Sequence, residues 1–252
     1  MQIVCSRRAS LLATLAVTVL AGCEVGVTPG GGGDDDDDLQ VDAGASIDAP
    51  TAAFTVTVAP PTATTILGTA TTFTVTLDAQ HFSGPIGLTA SGAPASWTVA
   101  IAPPTVNVVD GVAATATVTV TIPPNGDAAP TGQALTINAT STVAGAEVGT
   151  AALTVAKEYA IAIAAGTGGG NTHFGAMNGG LVRVKAGTLV HIRNADTTAH
   201  RIHSGGGIGG FPHQPNNMGQ GQEYAVTVTD GSDVFYCHIH ERGAGEVNLV
   251  VE

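Results

Sequence analysis

The sequence has little positive charge. Only eight of its 252 residues are Lys or Arg, against twenty Asp and Glu, and no basic residue lies between Cys23 and Ala156. The net charge of −12 is uneven, because seven of the acids fall between positions 34 and 48. Proteins that bind nucleic acid neutralise its phosphates with clustered Lys and Arg. We therefore expect no nucleic-acid partner.

Long apolar runs are also missing. The apolar segment from Leu11 to Leu20 has ten residues, which is too short to span a bilayer. It follows Arg7 and Arg8, and this arrangement predicts an export signal peptide over residues 1–22. The sequence LAGC that ends at Cys23 resembles the bacterial lipobox. The resemblance implies a lipid on Cys23 and an exported protein anchored to a bacterial membrane, facing the periplasm or the cell surface.

Cysteine is scarce, with three residues in the chain. Cys5 leaves with the predicted signal peptide and Cys23 is the predicted lipidation site, so Cys237 is the one thiol of the folded region. It has no internal partner for a disulfide. A bare thiol in an oxidising compartment is open to oxidation, which suggests that something occupies it.

Runs of Leu, Glu and Lys that build helices are absent, while Thr, Val, Ala and Gly are abundant. This composition predicts an all-β protein. Residues 23–50 contain four consecutive glycines and five consecutive aspartates, with little to bury. We interpret them as a lipidated, disordered linker.

Residues 51–156 alternate between apolar and polar side chains in seven short segments, separated by Gly and Pro. They predict a β-sandwich and resemble the immunoglobulin-like domains of exported bacterial proteins. No cluster of ionisable residues occurs in this part, so we expect a spacer or adhesion module. The segments are FTVTV (54–58), TTFTVTL (71–77), IGLTAS (86–91), SWTVAI (96–101), ATATVTVTI (114–122), ALTINATS (134–141) and TAALTV (150–155).

Residues 157–252 predict a second small all-β unit, which gives two β-sandwich domains in tandem. Seven of the eight histidines lie here, together with Cys237. The predicted strands are YAIAI, the two halves of GLVRVKAGTLVHIRN, AHRIHS, EYAVTVT, DVFYCHI and EVNLVVE.

Strand alternation sorts the candidate ligands in this unit. In DVFYCHI, Cys237 shares a face with Phe235, and His238 points to the opposite face. In AHRIHS, His200 and His203 likewise fall on opposite faces. If Phe235 marks the core side, Cys237 and His200 point inward, and His203 and His238 point outward.

His240 follows just past the strand, where a turn can bring it back toward Cys237. One thiolate and two imidazoles, from Cys237, His200 and His240, form the ligand set of copper electron-transfer sites. The thiolate favours Cu(I), and imidazole accommodates both copper states.

Two stretches carry a family resemblance. LVRVKAGTLVHIRNADTTAH and FYCHIHERGAGEV resemble the two ligand-bearing segments of cupredoxins of the plastocyanin and pseudoazurin type. The resemblance covers residues 157–252 and implies a Greek-key sandwich with one mononuclear copper ion. It implies His200, Cys237 and His240 as copper ligands.

The fourth ligand departs from this family, which usually has a Met a few residues after the second His. No Met follows Met218 here, and Glu246 occupies the aligned place. A carboxylate favours Cu(II) and lowers the reduction potential. Nitrosocyanin, a relative of this family, also has a carboxylate in its site. We expect Glu246 as the axial ligand, with Met218, a backbone carbonyl or water as the alternatives.

The remaining histidines have weaker arguments. His203 and His238 suit either a second metal site, an electron path or an unliganded surface, and we favour the last. A trinuclear copper cluster needs several His-x-His pairs, and the chain has one. His213 lies in a loop that could edge the copper pocket, and nothing in the sequence assigns a role to His173 or His191.

These observations predict a membrane-anchored mononuclear copper protein that transfers single electrons between redox partners outside the cytoplasm. We expect an electron carrier rather than an enzyme, and a transient encounter with its partner at the edge marked by His240. The alternatives are a copper enzyme with an open or Glu-ligated site, and a copper storage or delivery protein. A zinc site is a further alternative for Cys, two His and a carboxylate.

Overall fold

The structure is a computed structural model that describes residues 49–252 except positions 169, 171, 243 and 244. The predicted signal peptide (1–22), the lipidation site Cys23 and the linker up to residue 48 lie outside the described residues, and these assignments stay predictions. Within the described part, no helix has the length and apolar character needed to cross a membrane.

The all-β prediction is confirmed. The described residues form fifteen strands and one short 3-10 turn (Gly175–Met177), with no α-helix. The strands are β1 (Ala53–Ala59), β2 (Thr62–Leu67), β3 (Ala70–Gln80), β4 (Gly84–Ser91), β5 (Thr98–Ala102), β6 (Thr105–Val108), β7 (Ala114–Thr121), β8 (Ala129–Ser141), β9 (Gly145–Ile163), β10 (Leu181–Val184), β11 (Thr188–Asn194), β12 (Ile202–Ser204), β13 (Glu223–Val228), β14 (Ser232–Cys237) and β15 (Glu246–Val251).

The N-terminal strands form two sheets. One has the order β1-β3-β7-β5 and is antiparallel throughout, and the other contains β6, β4, β8 and β9. In β3, Phe73, Val75 and Leu77 are buried while the threonines between them lie at the surface. This alternation is what the Thr-Val pattern of the sequence predicts, because successive strand side chains point to opposite faces.

Strand β9 runs through both halves of the described chain without a break. Its residues 145–155 pair with β8, and its residues 158–163 pair in parallel with β11. A single seven-stranded sheet of order β13-β11-β9-β8-β4-β6 results, with β2 added beside β9. Residues 49–252 accordingly form one compact unit.

The C-terminal half has a second sheet of order β10-β15-β14-β12. Its core combines buried side chains of this sheet, such as Phe235 and Leu249, with Ile161 and Ile192 from the seven-stranded sheet. Phe211, from the loop between β12 and β13, stacks on Phe235 at 5.8 Å between ring centroids. The candidate ligands lie on strands and loops anchored to this core.

Contacts across position 156 join the two halves. The ring of Tyr159 packs over Gly68 so closely that a Cβ at position 68 would overlap ring atom Cε2. Lys185, in the C-terminal half, forms an ion pair with Asp127 in the N-terminal half. The packing of Tyr159 on Gly68 therefore requires glycine at that turn.

Replacing Gly68 with Ala is expected to destabilise the protein more than replacing Gly111. Both glycines have positive φ, +76° and +69°, so both variants incur the strain of about 1–2 kcal/mol for a left-handed L-residue. Only at Gly68 does the new methyl group meet Tyr159, and overpacking adds about 1–3 kcal/mol. Chemical denaturation of both variants measures the difference, and equal losses would contradict the packing described.

Candidate metal centre

Cys237 ends strand β14 with its side chain fully buried. Phe235, two residues earlier, is also buried, and His238, one residue later, is exposed. The predicted alternation of this strand is thus present. The sulfur accepts a hydrogen bond from the backbone N–H of Arg201 at 3.4 Å and lies 3.3 Å from Nδ1 of His240.

His200 is buried beside Cys237, in the segment that leads into β12. Its backbone pairs with Met218, and its Nε2 lies 3.2 Å from Oδ2 of Asp196. Nδ1 is buried and has no hydrogen-bond partner. Burial lowers the pKa of His200, but Cys237 and Asp196 outweigh it and raise the pKa above its ordinary value.

Asp196 is itself 1% exposed and accepts hydrogen bonds from three backbone N–H groups, of Gly166, Gly168 and Thr197. Burial opposes its ionisation, yet the bonds to His200 and to these N–H groups lower its pKa to about 2. A fixed carboxylate on Nε2 orients the His200 ring and leaves the Nδ1 lone pair toward the cluster, as is usual for metal-binding histidines.

His240 lies on the turn that follows β14. Its backbone N–H donates to the carbonyl of Cys237 at 3.3 Å, which folds the turn back over the strand end. Its ring is half-buried, with its centroid 5.0 Å from that of His200. The three ligands named by the resemblance therefore meet in one place.

His173 is a fourth member of this cluster, and nothing in the sequence assigns a role to it. It lies in the loop between β9 and β10, and ligand nitrogens of His173, His200 and His240 all lie within 4.8 Å of one another. Its ring is fully buried, and neither ring nitrogen has a hydrogen-bond partner. No spacing to Cys237 or periodicity marks this residue, so only the folded loop reveals it.

The pKa values of Cys237 and His173 favour the deprotonated forms that bind metal ions. Burial raises the pKa of Cys237, but the interaction with His200 and the backbone N–H groups around the sulfur lower it to about 6. Burial, followed by the charges of His200 and His240, lowers the pKa of His173 to about 4. A thiolate and a neutral imidazole are the forms that bind metals.

Glu246 is half-buried on β15, the strand that pairs with β14. It begins β15 and pairs with Tyr236, next to the inward-pointing Cys237. Directly paired residues share a face, so the register puts Glu246 on the outer face with Tyr236. Met218 is buried and its backbone pairs with that of His200. The assignment of Glu246 or Met218 as axial ligand stays a prediction.

The outward-pointing histidines form a second group. His203 on β12 and His238 just after β14 both point outward, as the sequence predicts, and His213 joins them from the loop after β12. The sequence allows His213 at the edge of the copper pocket, whereas in the fold it lies with the outer pair. His191 stands apart between Glu158 and Glu223.

The donor set of the buried cluster fits copper. It offers one soft thiolate and three imidazoles, and buried nitrogens of His173 and His200 have no partner within the protein. Buried polar atoms are normally hydrogen-bonded, so orphaned ring nitrogens beside a thiolate indicate a place for an ion.

Comparisons with known proteins find only a partial structural similarity. No protein-family profile and no curated protein sequence matches the chain. Solved structures of amicyanin are similar to part of it. The oxidized form of a Met-to-Leu mutant is 23% identical over 37% of this chain and 80% of that one, with a TM-score of 0.29. The Cu(I) form of a Met-to-Ala mutant is 22% identical over 38% and 84%, with a TM-score of 0.30. Scores this low assign no function to the chain.

Proposed function

We propose that the protein is a mononuclear copper protein that transfers single electrons. The observation that carries this proposal is the buried sulfur of Cys237 in a cluster with imidazoles, of which His173 and His200 have buried ring nitrogens without hydrogen-bond partners. Copper, when bound, supplies one-electron chemistry between its two common oxidation states. His200, Cys237 and His240 would hold it, as the sequence predicts, and His173 would provide the fourth donor.

The protein residues fix the geometry of these donors. Cys237 sits at the end of a strand paired on both sides, and the N–H of Arg201 holds its sulfur. Asp196 holds the His200 ring through Nε2. Ligands held by a rigid frame rearrange little when the charge of the centre changes, which suits electron transfer better than storage.

His240 provides the route to a partner. It is the half-buried member of the cluster and lies on a turn, next to the exposed Ile239. A partly exposed ligand beside an apolar side chain suits a brief encounter with another redox protein. Our proposal includes the export and lipid anchoring predicted from the first 23 residues, which would keep this encounter outside the cytoplasm.

Reconstitution of the full chain with Cu(II) tests the proposal. We expect an intense visible band from thiolate-to-copper charge transfer, and reversible one-electron reduction without loss of the metal. A protein that binds copper with no such band would refute the proposed centre. Release of copper on reduction would instead favour storage or delivery.

The fourth ligand can be tested by comparing two variants. Replacing His173 with Ala removes a nitrogen donor that favours Cu(II), so we expect the band to shift and the reduction potential to rise. Replacing Glu246 with Gln should leave both unchanged, because the register puts this side chain on the other face. Absorption spectra and voltammetry of the two variants measure the band and the reduction potential. A shift in the Glu246→Gln variant, with none in the His173→Ala variant, would restore Glu246 as axial ligand.

A further inference from the structure

Three histidines form a second cluster, away from the buried one. Ligand nitrogens of His203, His213 and His238 all lie within 4.8 Å of one another. The ring centroids are 4.5 Å apart for His203 and His213, 4.8 Å for His213 and His238, and 5.3 Å for His203 and His238. Three imidazoles at these distances, without a carboxylate among them, converge on one point at the surface.

Backbone contacts hold two of these residues in position. His203 lies in the middle of β12, opposite Tyr236 of β14. The backbone N–H of His238 donates to the carbonyl of Arg201 at 2.6 Å, which ties the end of β14 to the segment before β12. The spacing between His203 and His238 is therefore set by strand pairing.

The loop that carries His213 is fixed by its neighbour Gln214. The buried Gln214 side chain accepts a hydrogen bond from the N–H of Ile202 at 2.8 Å, and its backbone N–H donates to the Ile202 carbonyl at 3.2 Å. Arg201 Nε also donates to the Gln214 carbonyl at 2.9 Å. His213 is thus held over the two strands although it belongs to a loop.

Hydrogen bonding within the cluster does not satisfy the three rings. Nε2 of His213 lies 3.2 Å from Nδ1 of His238, and a bond between them needs one of the two nitrogens unprotonated. Nδ1 of His203 is buried and has no partner. A metal ion would use the lone pairs that this hydrogen bonding leaves free.

We propose that His203, His213 and His238 bind one borderline divalent ion, copper(II) ahead of zinc. Imidazole suits both ions, and nitrogen sites generally bind copper(II) more tightly than zinc. Two of the ligands are exposed, so the remaining coordination positions face water. Open positions beside three protein ligands distinguish reactive metal sites from closed structural ones. The site uses none of the buried ligands, so it stands whether or not the buried cluster holds copper.

Titration of the full chain with Cu(II), followed by metal analysis and electron paramagnetic resonance, tests this site. We expect two copper ions per chain, the second with the signal of a nitrogen-bound Cu(II) and without an added charge-transfer band. Replacing His213 with Ala should weaken binding of that second ion by at least about tenfold, since even outer-shell changes cost this much. A matched variant of a histidine outside both clusters, His81→Ala, should bind it normally.

The outcomes separate this site from the buried centre. The visible band reports the Cys237 centre, and the second stoichiometric ion reports the three histidines. A protein that binds no ion besides the one responsible for the visible band, or unchanged second-site binding in the His213→Ala variant, would overturn the proposal. Because His213 is exposed and lies in a loop, its replacement leaves the core untouched, and unchanged thermal unfolding of the metal-free variant verifies this.

Discussion

Replacing Cys237 with Ser is expected to abolish the visible band of the copper-loaded protein. The band arises from the thiolate, and a hydroxyl at the same position cannot produce it. Loss of the soft donor should also weaken Cu(I) binding more than Cu(II) binding. Absorption spectra and competition with a Cu(I) chelator measure both effects.

The fold should survive this change. Ser is close in shape to Cys, and its hydroxyl can accept the hydrogen bond that the N–H of Arg201 now gives to the sulfur. His203→Ala, on the strand beside Cys237 but facing outward, provides the matched control and should keep the band. A Cys237→Ser protein that retains the band would move the centre away from this thiol.

Replacing Asp196 with Asn should lower copper affinity by about 10- to 100-fold. The carboxylate lies 3.2 Å from His200 Nε2 and accepts N–H bonds from Gly168 and Thr197. An amide in its place turns one acceptor into a donor, so at least one of these groups loses its partner. Isothermal titration of the metal-free protein measures the affinity, and the thermal midpoint should fall as well.

The lower copper affinity expected for Asp196→Asn does not come from the loss of a negative charge alone. Glu147 is exposed on β9 in the N-terminal half, and Glu147→Gln removes the same charge without touching the cluster. That variant should bind copper as the unaltered protein does. Equal affinity of the Asp196→Asn variant and the unaltered protein would show that Asp196 does not position His200.

Alternation along strands was the part of the site that sequence could predict. Cys237 is buried and His238 exposed because neighbouring residues of β14 face opposite sides of the sheet, a local rule that needs no tertiary information. His240 returns to the sulfur because a turn follows at once. The pairing of β12 with β14, which brings His203 beside His238, depends on long-range contacts and does not follow from this rule.

Loop residues escaped prediction because long-range contacts place them. The carbonyl of His173 accepts a hydrogen bond from the N–H of Ala164 at 2.7 Å. Gly245 lies so close to the backbone nitrogen of His173 that a Cβ at position 245 would crowd it. His213 owes its position to Gln214. Neither contact has a signature in the local sequence, and so neither residue could be assigned from it.

The sequence does not predict β2 and β6, and the reason is physical. β2 and β6 each begin just after a Pro-Pro pair, which reads as a turn. The sequence predicts β9 as two strands, one on each side of the expected domain boundary between residues 156 and 157. In the fold the exposed Lys157 lies within this continuous strand, and its Nζ donates to the carbonyl of Ala186 at 2.5 Å.

Strand β15, the last strand of the fold, completes the buried cluster. β15 pairs in parallel with β10 and antiparallel with β14, so it links the loop that carries His173 to the turn that carries His240. Parallel pairing between segments far apart in sequence forms late, because loop closure must come first. The buried cluster is therefore complete only when the C-terminal strand has docked. A copper ion bound by the completed cluster would stabilise the folded state, because it would bind the native arrangement of these ligands and not the unfolded chain.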